Sequence, residues 1–515
     1  MSATEVRSAD SSTRSASART CRILAGAGFV AVMALGTGLR LVGLGRSPSP
    51  GWDEGAYLMA ARLMAAGYEP FRHLYMPQIP LFLRNLSLAF RLFGDSMLVG
   101  RLVVVAYSIA GLAAVGYCSR AISNRAGGLA AILFLAVNPG HLAYSRAVFL
   151  EVPASSLGML SMACVLAFWK DRRRSWLVAA GALFGAAILT KPFLLGLGLP
   201  LLFYPALLRG RDSSSETRRL RASAIGLDWL AVCCGLAAPL VWFLATTDLA
   251  AFREQFLAVN ARLIPADAWR ILLRRLRFLR RDLGMLYLVP LALWTPLRRS
   301  PRPSPAPLAL GTLGMAAFIL CVPSFYHHAV VLIPPLAALA GAGMGLWLAE
   351  LLPVARWEPR SWRVVAAVLW VVGALALGVY GRKLPGVIAF DRELLKPEAF
   401  DVCKAAITRL IRKRSAEGAY VVSDEPMLVY DAGRLVPPRV AIASGGDVGG
   451  GGIDAEDLIQ AAERYQAPLV VASVTFDRLP EWMDWVRGRY HVVAECTGRK
   501  GRTIVLYQRP KPRDP

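Results

Sequence analysis

The chain has 515 residues, of which 55% are hydrophobic and only 18% are charged, and its mean hydropathy is +0.45. About a quarter of the residues in a soluble domain are charged, so this composition excludes an ordinary soluble protein. The formal net charge is +24, but the basic residues lie mainly between apolar blocks, as they do in membrane proteins. The sequence therefore predicts the lipid bilayer, and not nucleic acid, as the partner of this charge.

Apolar blocks near the length that crosses a bilayer predict about 11 membrane spans, after a disordered cytoplasmic N-terminus at 1–22. If the N-terminus is inside, the loops that return to the cytoplasm carry arginine clusters, as at 170–174 and 298–302. An odd number of spans places the C-terminus outside. The predicted spans lie near 23–45, 95–118, 127–144, 152–169, 176–192, 193–208, 224–246, 283–297, 306–322, 329–350 and 364–381.

Two regions outside the spans have their own character. Residues 46–94 contain amphipathic stretches at 56–66 and 81–93, which predict helices lying along the outer membrane surface. The sequence from 382 to 515 predicts a small extracytoplasmic α/β domain that contains three strands and two helices. They are strands at 419–422, 469–474 and 503–507, and helices at 455–465, after a capping Asp454, and at 479–490. The predicted fold is thus mainly α, a transmembrane helical bundle at 23–381 followed by this domain.

The eight cysteines are scattered, without a CxxC pair or a Cys/His metal spacing. This pattern predicts neither a zinc site nor a disulfide framework.

An acid pair, Asp53 and Glu54, follows the first predicted span, with Trp52 and Tyr57 beside it. A partly desolvated carboxylate at the outer membrane face can act as a general base. The alternative is that Asp53 only caps the surface helix that begins near Gly55.

A second acid, Glu151, lies where apolar sequence resumes between the third and fourth spans. An ionisable group at that depth indicates function, although an ion pair with Arg146 would also explain it. Lys191 lies between two apolar runs on the same outer face. It can face a phosphate, or it can extend to the interface without a specific role.

Tyr326, His327 and His328 precede a proline-containing span, again at its outer end. Two adjacent histidines are not a metal motif, so polar recognition or phosphate contact is preferred to zinc. The sequence predicts no metal and no cofactor at this site.

These clusters are far apart in sequence, yet all map to the outer membrane boundary. Together they suit transfer of a sugar that is linked through phosphate to a membrane lipid, because phosphate is already a good leaving group. That reaction needs cations for the departing phosphate and one base for the incoming hydroxyl. It needs no nucleotide-binding loop, and the sequence has no P-loop.

The order WDEGxY, then NPxxLxYSRxxxxExP, then TKP, then a histidine or tyrosine before a PP-containing span, resembles the GT-C glycosyltransferases. Within these it looks like the bacterial protein mannosyltransferase and lipid A aminoarabinose transferase group, over roughly 20–350. The outer domain, with VVSDEP and GRLVPP, is similar to the tail of many bacterial members.

The resemblance implies an inverting transfer at the outer face of the cell membrane, from a polyprenyl-phosphate sugar to a hydroxyl of a protein, lipid or glycan. The sugar would be a hexose or a pentose. Asp53 would match the catalytic acid, with Glu54 beside it and Glu151 at the second acidic position. The candidate substrate-binding residues are Trp52, Tyr57, Arg146, Lys191, Tyr326, His327 and His328.

Two other classes of protein stay open at this point. A polytopic transporter or lipid flippase would have repeated halves and charges near span centres, whereas these charges cluster at one face and no repeat is found. A scaffold that uses the outer domain for interactions would leave the acid pair and Lys191 without a role.

Overall fold

The computed structural model describes residues 26–45, 52–210, 218–262, 288–293, 302–321, 326–348, 371, 374, 378, 382, 399–442, 444–449, 451–498 and 503–510. The N-terminus predicted to be disordered, 1–22, lies outside the described residues, and so do most of the predicted spans near 283–297 and 364–381.

The described membrane part is helical almost throughout. Its helices are α1 (Gly26–Leu41), α2 (Trp52–Ala65), α3 (Leu81–Phe93), α4 (Met97–Ile122), α5 (Arg125–Ala136), α6 (Pro139–Ser145), α7 (Glu151–Asp171), α8 (Ser175–Ile188), α9 (Gly198–Gly210), α10 (Arg218–Thr246), α11 (Leu249–Phe252), α12 (Val259–Arg262), α13 (Val289–Leu293), α14 (Ala306–Cys321) and α15 (Ile333–Leu346). Short 3₁₀ helices at Pro192–Leu197 and Tyr326–Leu332 lead into α9 and α15, and a π-helical stretch, Arg253–Ala258, joins α11 to α12.

Within the described residues, four helical segments are long and apolar enough to cross a membrane. Three of them lie in α4, α7 and α10, and the fourth, His327–Leu346, consists of α15 and the 3₁₀ helix that leads into it. A fifth span results if α5 and α6, which meet at a bend of 66°, are one broken span. The remaining apolar helices, such as α1, α8 and α14, are shorter. A multi-pass helical bundle is therefore confirmed, while the number of 11 spans stays a prediction.

Helix packing separates a core from a periphery. In the most apolar window of α7, 72% of the residues are buried within the protein, against 17% in α10, so α10 lies nearer the periphery of the described bundle. Where α10 crosses α8, a Cβ on Gly181 would lie 2.0 Å from the carbonyl oxygen of Val232. Only glycine permits this close approach of the two backbones, as small residues do at many membrane helix crossings.

The described part of the C-terminal domain, which keeps the name outer domain from its predicted location, consists of a small sheet with helices around it. Its elements are α16 (Ala399–Arg414), β1 (Val421–Ser423), α17 (Pro426–Asp431), α18 (Gly445–Gly449), α19 (Ala455–Arg464), β2 (Leu469–Ala472), α20 (Pro480–Arg489), β3 (His491–Thr497) and β4 (Thr503–Gln508). The strand order is β1-β2-β4-β3, with β1 and β2 parallel and the other pairs antiparallel. The predicted small α/β domain is confirmed, and Asp454 caps α19 in a reciprocal capping box with Asp457.

The helices α16, α17 and α18, the strand β3 and one disulfide of the outer domain were not predicted. The edge strand β3 was missed because most of its residues are exposed or half-buried and carry no continuous apolar run. Cys403 in α16 and Cys496 in β3 form a disulfide, which corrects the prediction that no disulfide framework exists. Spacing could not reveal this pair, because 93 positions separate its members and only the fold brings them together.

The outer domain packs directly on α2. The Trp52 indole N–H donates to the carbonyl oxygen of Asp424 at 2.6 Å, and Arg62 donates to the carbonyl oxygen of Tyr430 at 3.0 Å. A Cβ on Gly55 would lie 2.5 Å from the backbone nitrogen of Met427, so α17 touches the backbone of α2. The residues beside the acid pair thus lie between the bundle and the outer domain.

Candidate active site

Asp53 lies in the first turn of α2, which begins one residue earlier, at Trp52. It is inside the helix rather than at the position before it, so the structure does not support the cap at Gly55 as its role. Its side chain keeps 26% of its surface exposed, and Oδ2 lies 3.1 Å from Nε2 of His327. A carboxylate that is half-desolvated yet reachable can accept a proton from a bound substrate.

Glu54 points in another direction, because successive residues of an α-helix are turned by about 100°. Its side chain is fully buried, and its two oxygens accept from Nε and Nη2 of Arg101 in α4 at 2.8 and 2.9 Å. The backbone N–H of Val148 also donates to it, at 2.9 Å. Glu54 is thus held by three donors and ties α2 to α4.

His327 lies in a box of aromatic rings. The ring centres of Phe149 and Tyr144 are 5.4 and 6.0 Å from it, and His328 follows at 4.5 Å in an edge-to-face arrangement. These contacts restrict the imidazole and aim its Nε2 at Asp53.

Glu151 and Lys191 form a buried ion pair, with 3.1 Å between Oε1 and Nζ. Lys191 is 2% exposed, so it does not extend to the interface. Its Nζ is also 3.4 Å from Gln78 Oε1 and 3.4 Å from Nε2 of His328. The cation found at Glu151 is Lys191, and Arg146, the partner in the alternative interpretation, donates to the carbonyl oxygen of Val42.

The structure therefore brings five side chains into one cluster, those of Asp53, Glu151, Lys191, His327 and His328. Glu54 is not part of this cluster, because it is buried against Arg101 of α4. Both histidine Nε2 atoms are 3.8 Å from Glu151 Oε1, which links the two acids through His327.

The other predicted residues lie around this cluster. Trp52 bonds to the outer domain, and the buried ring of Tyr57 packs edge-on against Phe149. Burial, reinforced by the charges of Asp53 and Glu151, raises the pKa of the Tyr57 hydroxyl well above its usual value. The side chain of Tyr326 lies outside what the structure describes.

Three side chains of the cluster could hold a cation. One ligand atom from each of Glu151, His327 and His328 lies within 4.8 Å of the others. The sequence analysis placed these residues at the same membrane face but did not predict that their ligand atoms would converge, because the acid is 176 positions from the first histidine. Lys191 already supplies a positive charge at 3.1 Å from the same carboxylate.

The outer domain adds one more acid. Tyr75 donates to Asp447 at 3.2 Å, and the backbone N–H of Ser444 donates to the other oxygen of Asp447 at 3.1 Å. Burial raises the pKa of Asp447 to about 6, although these hydrogen bonds oppose the rise, and the charge of Asp53 adds to it. The outer domain thus contributes a buried carboxyl group with a raised pKa beside Tyr75.

Sequence reasoning missed Arg101, Gln78 and Asp447. Arg101 could have been found, because an arginine inside a predicted span is rarely without function. Gln78 lies in a loop and Asp447 in the short helix α18, and the composition around neither residue carries a comparable signal.

A family model described as dolichyl-phosphate-mannose-protein mannosyltransferase matches residues 77–243, about a third of the chain. No curated protein sequence matches.

Solved structures show the fold. The structure of ArnT from Cupriavidus metallidurans bound to undecaprenyl phosphate matches with a TM-score of 0.59 and 18% identity, over 93% of this chain and 97% of that one. The archaeal oligosaccharyltransferase AglB from Archaeoglobus fulgidus, in complex with an inhibitory peptide and a dolichol-phosphate, matches with a TM-score of 0.53 and 13% identity, over 96% of this chain and 75% of that one. The chain therefore has the GT-C fold, and the resemblance seen in the sequence is confirmed at that level.

Proposed function

We propose that this protein is a glycosyltransferase that moves a sugar from a polyprenyl-phosphate donor to a hydroxyl acceptor at the extracytoplasmic membrane face, with inversion. The observation that carries the proposal is the position of Asp53, a partly exposed carboxylate 3.1 Å from His327 and next to a buried Lys191–Glu151 pair. The family match and the two structures bound to polyprenyl phosphates support the donor class.

Asp53 is the general base in this proposal. It takes the proton of the acceptor hydroxyl while the oxygen attacks the anomeric carbon from the face opposite the lipid phosphate. The bond from that carbon to the phosphate oxygen breaks, and the lipid phosphate leaves with the electron pair. Attack and departure on opposite faces invert the anomeric centre.

Lys191 and the histidines stabilise the departing phosphate. The Lys191 ammonium is 2% exposed, so little solvent screens its charge. It therefore stabilises a developing negative charge more strongly than an ammonium in water does. Glu151 holds Lys191 in place and keeps the pair neutral before the donor binds. Glu54 orients Asp53 through its bonds to Arg101 and Val148 and does not touch the acceptor.

The disulfide supports an extracytoplasmic location of the outer domain. Disulfides such as Cys403–Cys496 form and persist in oxidising compartments and are rare in the cytosol. The catalytic cluster lies against this domain, so the transfer takes place at the same face of the cell membrane, with the N-terminus inside.

The test is incubation of the purified protein, reconstituted in vesicles, with radiolabelled polyprenyl-phosphate hexoses and pentoses and with extracts that contain acceptors. Label on an acceptor, in a glycosidic bond whose anomeric configuration is opposite to that of the donor, supports the proposal. Label that crosses the bilayer without transfer would indicate a flippase, and neither result with any donor would contradict the enzyme assignment.

A further inference from the structure

A cleft of about 1140 Å³ opens at the end of α2 opposite Asp53. Its lining includes Met64, Tyr68, Arg72, Arg84, Arg91 and Trp242. Eleven positions of α2 separate Asp53 from Met64, or about 16 Å at the rise of an α-helix, so the cleft is distinct from the candidate active site. We propose that it binds the phosphate-bearing headgroup of an anionic membrane lipid.

The position of the cleft favours a lipid over a soluble ligand. The outer end of α10 forms one wall with Trp242, and α10 is the least buried of the four candidate spanning segments that the structure describes. The surface helix α3 forms another wall and leaves Leu88, which also lines the cleft, 54% exposed. A tryptophan, an exposed leucine and arginines together are typical of the membrane–water interface.

The charge of the cleft favours an anion. Among the described residues that line the cleft are three arginines and two acids, and both acids already have partners. Glu69 lies 3.3 Å from Arg72, and the side chain of Asp248 accepts from the backbone N–H groups of Ala250 and Ala251. The described lining therefore carries one net positive charge, which favours an anionic ligand.

Arg84 is held in one orientation at the wall of the cleft. Its Nη2 donates to the carbonyl oxygen of Thr246 at 3.0 Å, and its guanidinium lies 5.2 Å from the ring centre of Trp242. Its Nε is buried and has no hydrogen-bond partner within the described part of the chain. A guanidinium carries five N–H donors, so a fixed group with donors to spare fits a phosphate.

The size of the cleft suits a headgroup. Its volume is slightly above the roughly 300–1,000 Å³ that small-molecule pockets have. The acyl chains of the lipid would remain in the bilayer beside Leu88 and Trp242, while the phosphate reaches Arg72 and Arg84.

The test is native mass spectrometry of the full chain in detergent, titrated with phosphatidylglycerol or with phosphatidylcholine of the same acyl chains. We expect at least about tenfold tighter binding of phosphatidylglycerol. Arg72→Gln/Arg84→Gln should remove about tenfold of that affinity, because each arginine offers charge-assisted hydrogen bonds to phosphate. The control Arg173→Gln/Arg487→Gln changes two exposed arginines, each beside an aspartate, and should bind as wild type.

Arg84 also bonds to Thr246, so its replacement could disturb the fold. The side chain of Arg72 is 70% exposed, so Arg72→Gln alone should keep the fold. This single variant should still weaken the binding of phosphatidylglycerol. Equal binding of the two lipids would overturn the proposal, and so would preferential binding that neither Arg72 variant changes. Displacement of phosphatidylglycerol by millimolar inorganic phosphate would also overturn it, because a free anion would then be the ligand.

This readout requires no sugar transfer. Asp53→Asn should bind phosphatidylglycerol as wild type does, so the lipid site and the proposed function can fail separately.

Discussion

Glu54 and Arg101 form a bidentate ion pair with N···O distances of 2.8 and 2.9 Å, and neither side chain has any exposed surface. The pair joins the first turn of α2 to α4 and so fixes the direction of the neighbouring Asp53. Removing one partner from such a pair leaves a buried charge without compensation.

Arg101→Met should therefore lower the free energy of unfolding by about 3–5 kcal/mol. Thermal unfolding in detergent, followed by circular dichroism, measures the loss. Glu54→Gln/Arg101→Met should recover part of it, because no lone charge remains, and the exposed Arg487→Met should change little. An Arg101→Met protein as stable as wild type would show that solvent already screens this pair.

The arrangement around Asp53 shows where sequence reasoning ends. Apolar blocks, arginine-rich loops and short polar motifs predicted the bundle, the outer domain and most residues of the cluster. The hydrogen-bond and ion-pair partners of these residues could not be predicted from the sequence. Adjacent residues such as Asp53 and Glu54 point apart on a helix, and only helix packing decides which neighbour each one contacts. Lys191 reaches Glu151 across 40 positions for the same reason.

Lys191→Met should weaken use of the donor. The variant removes the buried ammonium beside Glu151, and we expect KM for the polyprenyl-phosphate sugar to rise at least about tenfold, because a phosphate in a dry site needs a paired cation. Steady-state kinetics with varied donor give the result. Lys170→Met, at the exposed end of α7, is the control, and equal donor KM in both variants would remove Lys191 from the phosphate site.

Gly55→Ala should separate the outer domain from α2. The new Cβ would lie 2.5 Å from the backbone nitrogen of Met427 and 2.6 Å from its Cβ, so one element must shift, at a cost of about 1–3 kcal/mol. Faster hydrogen exchange in α17 measures this. Gly488→Ala in α20, where the added Cβ meets no atom within 4 Å, should leave the exchange in α17 unchanged. Unchanged exchange in Gly55→Ala as well would show that the two elements are not in contact in the membrane.

Asp447 should make the outer domain less stable as pH rises. Burial raises the pKa of Asp447 from 3.8 to about 6 in the folded protein, so the folded state holds the proton more tightly than the unfolded state does. Stability present below pH 4 is lost as the pH rises through about 6. Asp447→Asn cannot ionise, so its stability relative to wild type should increase by about 2 kcal/mol between pH 4.5 and 7.5.

Hydrogen exchange of the β2 and β4 amides at the two pH values gives this difference. A difference between wild type and variant that does not change with pH would mean that water reaches Asp447 and its pKa is ordinary.

The most direct test of the account is the turnover of Asp53→Asn in folded, monodisperse protein. Asparagine keeps the size of the side chain and removes the basic carboxylate, so transfer should fall by about 10²–10⁴-fold while donor binding stays near that of wild type. Glu54→Gln should lose less, because Glu54 orients Asp53 and does not take the proton. Wild-type turnover in Asp53→Asn would contradict the account and would move the search for the base to Glu151.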